Sequence, residues 1–223
     1  MMNRILEPEL MEEQGQAEAY AAADFSEADR LMLQAFNENF AHPAPMGLVL
    51  DLGCGPGNMS FRFAERYAGI RIVGIDGSAE MLRIANERKA SNPDLTDRIQ
   101  FLHGTIQQVC IPSESCSAII SNSLLHHLHH PEILWEFINR HADNGCKILI
   151  MDLLRPDTLQ QAQAVVECYA ANEPKVLKRD FYNSLLAALT ENEIERQLLD
   201  AGLTELAVRK VSDRHVIIVG EKH

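Results

Sequence analysis

At 223 residues with 46% hydrophobic content, the chain has the size of one large domain and enough apolar material for a substantial core. Its 20 Lys and Arg stand against 32 Asp and Glu, a net charge of −12 that should repel phosphate backbones, so a general nucleic-acid binder is not expected. The five cysteines (Cys54, Cys110, Cys116, Cys146 and Cys168) form no C-x-x-C pair, and there is neither a signal-peptide core nor an apolar run near the roughly 18 residues of a membrane span; these features suggest a cytoplasmic protein with reduced thiols and no membrane partner.

In chain order, residues 1–45 look helical. AEAYAAAD is followed by SEADRLMLQAFNENF, with Ser26 as a candidate N-cap and apolar residues at helical spacing, up to the breaker AHPAP. Short β-rich runs then alternate with helical stretches: GLVLDL and FRFAERYAG, RIVGID and SAEMLRIANERKA, RIQFL with a short connection, AIISN and PEILWEFINRH, and KILIMDL ahead of a long helical tract. This alternation predicts an α/β fold, a doubly wound, mostly parallel sheet with helices on both faces. Ser78 is a reasonable helix start, and Thr190 with Glu193 makes a capping box. LTELAVRKV and HVIIVG are separated only by Ser212, Asp213 and Arg214, too close for a helical crossover, so an antiparallel hairpin is expected with SDRH as its turn network.

VLDLGCGPGN, residues 49–58, places Asp51 at a strand end, Gly53, Gly55 and Gly57 in the turn, and Asn58 at the start of a helix. Glycine permits positive φ and a close ligand, and a helix N-terminus offers unpaired N–H groups. A dinucleotide turn would read G-x-G-x-x-G and face a pyrophosphate; G-x-G-x-G behind an aspartate suits an ammonium or sulfonium better. Asp76 ends the second strand, where a carboxylate can accept from a ribose diol, so an adenosine-bearing cation is expected.

VLDLGCGPGN and VGIDGSAEML, followed by FLHGTI, AIISNSLLHHL and ILIMDLLRP, resemble the motifs of the class I S-adenosylmethionine (SAM)-dependent methyltransferases of small-molecule type, over residues 47–155. The resemblance implies a seven-stranded sheet of order 3-2-1-4-5-7-6 with strand 7 antiparallel, SAM as cofactor and S-adenosylhomocysteine (SAH) as product. It implies that Gly53, Cys54, Gly55 and, at the helix start, Asn58 wrap the methionine portion, with Asp51 fixing the loop or the amino group. Asp76 would hold the ribose, Gly77 and Met81 would cover the adenine, and Asn122 would lend its carbonyl to the amino group. The family often has an acidic residue after Gly104; Thr105 stands there instead, leaving its hydroxyl and the Ile106 N–H to read the adenine edge.

LHHLHHP invites a metal, but no acidic or Cys ligand is expected beside it and Pro131 breaks the helical pattern, so no metal is expected. L-H-H-L after the fourth strand is frequent in small-molecule methyltransferases, and this likeness points His126 and His127 toward cofactor or acceptor. The expected organisation is a helical lid (1–45) over the carboxyl ends of the strands, a cofactor-binding core (46–155), a helical insert on the acceptor side (156–203) and a C-terminal β-hairpin (204–223). Tyr20, Asp24 and Phe25 should face inward from the lid, and KRDFYNS in the insert offers Arg179, Asp180, Tyr182 and Asn183 to a polar acceptor. If the acceptor must lose a proton, His126, His127, Tyr20 or Asp180 could take it, and Tyr182 joins the catalytic candidates. The reading is methyl transfer to a small molecule, with a homodimer compatible. Two others compete: an RNA or protein methyltransferase, which would want a basic face or an N-P-P-Y-like stretch where SNSLL stands, and a SAM-binding protein without turnover.

Overall fold

The strand-forming runs become β1 (Gly47–Leu52), β2 (Ile70–Asp76), β3 (Ile99–His103), β4 (Cys116–Asn122), β5 (Lys147–Leu153), β6 (Ala207–Lys210) and β7 (His215–Glu221). They form one sheet of order β3-β2-β1-β4-β5-β7-β6. Every pairing is parallel except those of β7, which runs antiparallel to both β5 and β6, the latter as the short 211–214 link requires. This computed structural model describes residues 2–40, 44–111 and 115–223; positions 41–43 of the AHPAP breaker lie outside them.

The helices are α1 (Gln14–Ala22), α2 (Ser26–Phe40), α3 (Asn58–Arg66), α4 (Ala79–Ala90), α5 (Pro93–Thr96), α6 (Glu132–His141), α7 (Leu159–Tyr169), α8 (Lys175–Ala187) and α9 (Glu191–Asp200). Successive strand residues point to opposite faces, so β1 feeds Leu48, Leu50 and Leu52 to one core layer and Val49 to the other. The first layer meets Trp135, Phe137 and Ile138 of α6 and Ile194 and Leu198 of α9; the second meets Met32, Phe36 and Phe40 of α2 and Met59 and Phe63 of α3. Burial on both faces is why the central strands read as nearly continuous apolar runs. Among the described residues no helix is long and apolar enough to cross a membrane.

The N-terminal stretch differs from its helical expectation. Residues 2–13 are not helical, and α2 covers a face of the sheet instead of the strand ends. The physical reason lies in its apolar spacing: Met32, Phe36 and Phe40 recur every four residues and bury one stripe against β5, β7 and α3. Only residues 2–13, α1 and the first turn of α2 reach the carboxyl ends of the strands. Ser26 is the first residue of α2, and the Asp24 carboxylate accepts from its N–H at 2.9 Å, so Asp24 does the capping. The other caps form where they were read: Ser78 Oγ accepts from the Met81 N–H, and Thr190 and Glu193 make a reciprocal box.

Candidate active site

β1 hands over to α3 through a turn whose Gly53, Gly55 and Gly57 all have positive φ, at +67°, +52° and +85°. A Cβ on Gly53 would stand 2.9 Å from Leu124, so a side chain is excluded by space as well as by conformation. The turn is tied to β2: the Gly53 and Cys54 N–H groups donate to the Ile75 carbonyl at 2.8 and 3.0 Å. Asp76 continues the tie, its Oδ2 accepting from the Gly55 N–H and its Oδ1 from the Ser78 N–H, both at 2.8 Å. Two of its roughly four acceptor sites remain for a ligand. Burial raises the Asp76 carboxyl above its ordinary value, against the pull of those two amides.

Beside this turn lies a cavity of about 260 Å³ lined by Gly53, Gly55, Asp76, Gly77, Met81, Gly104, Thr105, Ile106 and Asn122. The remaining three residues expected to hold the cofactor are not on its wall. Asp51 is buried beneath the turn and accepts from Ser60 Oγ of α3 at 2.6 Å; burial, with Asp76 and Asp29 adding to it, pushes its carboxyl up to about 7 despite the Ser60 bond. The Cys54 side chain packs against Leu82 and Ala85 of α4. The Asn58 amide oxygen is taken by Arg88 Nη1 at 2.6 Å, a guanidinium that also binds the carbonyls of Pro56 and Ala21, so Asn58 clamps α3 to α4 and α1. The cavity fits an adenosine-bearing cofactor at its far end, where the buried Thr105 Oγ1 has no hydrogen-bond partner within the protein.

A second cavity, about 210 Å³, opens on the other side of Tyr20, Asn122, Ser123 and His127, which line both. Ser123, at φ +59°, is the one non-glycine residue with positive φ among the described residues; this bend turns the chain after β4 so that Leu124 covers Gly53 and His126 swings back to β5. Beyond the shared wall stand Phe25 and Glu27, then Leu177, Asp180, Phe181 and Ser184 of α8, and Arg214 and His215 of the β6–β7 turn. Tyr20 stacks near Phe25, ring centroids 4.6 Å apart, and burial, aided by Asp29, Asp76 and Asp152, keeps its phenol protonated.

The insert candidates divide. Asp180 reaches the cavity but is already engaged by Gln16 at 2.8 Å and Arg179 at 3.0 Å. Tyr182 points away, into a separate hollow with Gln163, Val166, Lys178 and Arg179, because a residue one step past Phe181 is rotated about 100° around α8. SDRH is the expected turn network, Ser212 Oγ accepting from the Arg214 and His215 N–H groups, yet Arg214 and His215 also wall the cavity. Burial, helped by Arg214, pushes His215 down to about 4.

Two residues escaped the sequence reading. Asp152, the second-last residue of β5, is buried and accepts from the Leu125 N–H at 2.7 Å and from His126 Nδ1 at 2.6 Å. Burial opposes both charges, but the contact outweighs it, lowering Asp152 and raising His126. Glu7 reaches the same place from the N-terminal segment, its Oε1 3.5 Å from His126 Nε2 and 3.3 Å from His127 Nδ1. Asp152 stood in the quoted ILIMDLLRP, and its acid inside an apolar strand was the available signal; nothing local to Glu7 marks it.

The methyltransferase-domain family model matches residues 49–146. An uncharacterized methyltransferase of Mycobacterium bovis is 30% identical over 155 residues, 65% of this chain and 75% of that protein. The trans-aconitate 2-methyltransferase of Afipia carboxidovorans is 30% identical over 131 residues, 59% of this chain and 47% of that one. In fold, the plantazolicin methyltransferase BpumL, crystallised with a pentazolic desmethylPZN analog and SAH, superposes with a TM-score of 0.68 at 16% identity, covering 94% of this chain and 90% of the other. With the β3-β2-β1-β4-β5-β7-β6 sheet and the glycine turn, these likenesses establish that the chain belongs to the SAM-dependent methyltransferases, enzymes that use SAM and release SAH.

Proposed function

We propose that the enzyme methylates a small molecule held in the second cavity, between α1–α2 and α7–α8, with SAM in the cavity beside the glycine turn. One observation carries this reading: the two cavities share Met11, Tyr20, Asn122, Ser123 and His127 as a common wall. In methyl transfer, donor and acceptor must meet in line across a short gap, which a shared wall provides. When bound, SAM supplies a methyl group already activated on a sulfonium sulfur. The chain's own work is then to hold Asp76 on the ribose and Thr105 on the adenine, to exclude water with the 2–13 segment, and to present the acceptor atom at His126 and His127. The cofactor core, the segments over it and the insert act in this reading as one catalytic unit.

The wall chemistry narrows the acceptor. Asp24, Glu27, Glu173 and Asp180 face one guanidinium, Arg214, and that guanidinium is paired with Glu27 at 3.3 Å and lies over the Tyr169 ring. Such a wall repels a polycarboxylate like trans-aconitate and suits a neutral or cationic acceptor carrying a hydroxyl, thiol or amine, with Phe25, Tyr169 and Phe181 against its apolar part. The overall charge of −12 likewise disfavours RNA.

Calorimetry tests the cofactor half: Asp76→Ala should weaken SAH binding by about 100-fold, the loss expected for a charge-assisted contact to the ribose. Unchanged affinity would remove Asp76 from the ribose. A screen of amines, phenols and thiols for methyl transfer tests the acceptor half, and acceptors should lose activity in Phe181→Ala. Preference for tricarboxylates over all of these would overturn the assignment.

A further inference from the structure

We propose that Glu7, His126 and His127 form a site for a divalent transition-metal ion of the zinc class, at the floor of the acceptor cavity. One ligand atom from each of Glu7, His126 and His127 lies within 4.8 Å of the other two, and the site is empty. The spacing matters more than the proximity. Donors at about 2.0–2.2 Å from a tetrahedral Zn²⁺ stand roughly 3.3–3.5 Å apart; Glu7 Oε1 is 3.3 Å from His127 Nδ1 and 3.5 Å from His126 Nε2.

The protonation pattern points the same way. Asp152 Oδ1, 2.6 Å from His126 Nδ1, holds the ring so that Nε2 is the nitrogen turned toward Glu7, and an ion there would take the place of any proton on Nε2. The backbone of Pro8, which offers only a carbonyl, hydrogen-bonds the His127 ring, and since Nδ1 has no partner, that bond uses Nε2 and leaves Nδ1 a lone pair. A histidine whose far nitrogen donates to a carboxylate or carbonyl is the usual arrangement of a metal-ligating imidazole. Three potential ligand atoms therefore converge, and two of them, Glu7 Oε1 and His127 Nδ1, are buried without a hydrogen-bond partner among the described residues. Buried polar atoms are nearly always satisfied, and a cation at their centre satisfies all three.

Glu7 is held in place by its neighbours in the segment. Arg4 donates to the carbonyls of Ala187, His126 and Leu128 at 2.6, 3.0 and 2.8 Å, the Ile5 N–H to Leu186 at 3.0 Å, and the Glu9 carboxylate accepts from the His129 N–H at 2.9 Å. His126 and His127 line the acceptor cavity, and in this proposal the fourth coordination position would face it. A catalytic zinc site has this form, three protein ligands and one open position, and a hydroxyl or thiol bound there would lose its proton more easily. That last role rests on the acceptor reading above; the ion's presence does not.

The test is a titration of tag-free, chelator-stripped protein with Zn²⁺ against a chromogenic chelator, with SAH affinity measured in parallel. One tight ion per chain is expected, weakened at least 30-fold in Glu7→Gln and in His127→Ala and about 10-fold in Asp152→Asn, with ion affinity unchanged in the exposed His130→Ala and SAH affinity unchanged in Glu7→Gln and Asp152→Asn. Co²⁺ in place of Zn²⁺ should give the intense visible bands of a tetrahedral site, absent in Glu7→Gln. His127 also lines the SAM-side cavity, so wherever His127→Ala loses SAH binding or folding, the isosteric Glu7→Gln decides. No tight site in the wild type, or equal affinity in Glu7→Gln, overturns the proposal and leaves the cluster holding a proton. Because SAH is followed separately, that outcome stands apart from any failure of the methyl-transfer reading.

Discussion

The cavity assigned to SAM is walled by Gly53 and Gly55, Asp76, Gly77 and Met81, and Gly104, Thr105 and Ile106, three short stretches that each follow a strand. The cavity assigned to the acceptor takes Tyr20 from α1, Glu27 from α2, His126 from the loop after β4, Asp180 and Phe181 from α8, and Arg214 from the last turn, with Glu7 and Asp152 behind them. One is made by backbone that must bend in a given way, the other by side chains that meet only when the fold is complete. Backbone constraints survive changes of acceptor, while a wall of scattered side chains can be rebuilt one residue at a time, which is how one fold serves many acceptors.

The sharpest way to break this division is Asp152→Asn. Asp152 touches the acceptor side through His126 Nδ1 and the Leu125 N–H, and it is not on the SAM-side wall. An amide keeps the shape but loses the charge that fixes the ring proton of His126, so kcat/KM should fall by about 100-fold, roughly 2.7 kcal/mol of transition-state stabilisation. SAH affinity should stay within about twofold. A parallel fall in SAH binding would show that the two halves are not separable.

How much of each half was legible follows from the same contrast. Gly53, Gly55 and Asp76 are specified by neighbours in the chain, so their spacing alone announced an adenosine-bearing cation. The strand order came with the family resemblance, and the reversal of β7 against β6 was forced by the four-residue link 211–214. Glu7 carries no local pattern; its role depends on the Arg4 and Ile5 hydrogen bonds to α8 and the loop after β4, made across more than a hundred residues. Asn58 and Cys54 sit beside the motif glycines in sequence, while the turn rotates their side chains toward Arg88 and Leu82. Of the two roles expected for Asp51, fixing the loop or meeting the amino group, its burial beneath the turn on Ser60 agrees with the first.

Asp51→Asn sharpens the cofactor side. The Asp51 carboxyl is raised from 3.8 to about 7 by burial, so the folded state holds its proton more tightly than the unfolded chain does. Its contribution is fully favourable below about pH 4, is lost as pH rises toward 7, and is constant above that. Asparagine removes this loss while still accepting from Ser60. At pH 8 the variant should be more stable by on the order of 2 kcal/mol, a Tm rise of about 4–8 °C, and the gap should close below pH 4. If the buried charge also favours the sulfonium, SAM affinity should drop about threefold relative to SAH, which lacks that charge. A variant less stable than wild type at pH 8 would show that Asp51 is needed as an anion.

The smallest effect is expected at Tyr182, and it tests which face of α8 meets the acceptor. Leu177, Asp180, Phe181 and Ser184 line the cavity, a spacing that keeps them on one stripe of the helix. Tyr182 falls outside that stripe and packs with Val166 and Ala162 of α7, its wall shared with Lys178 and Arg179. No hydrogen bond to its hydroxyl holds the cavity together, so Tyr182→Phe should change kcat/KM by less than about twofold and stability by no more than about 0.5 kcal/mol. Phe181→Ala, one residue away but on the lining stripe, should raise KM for the acceptor by about tenfold while leaving SAH affinity alone. If the order were reversed, with Tyr182→Phe costing tenfold and Phe181→Ala nothing, the acceptor would approach α8 from its α7 side. Methyl transfer would then need a path from Tyr20 and His127 around that helix, and the shared wall would have lost its meaning.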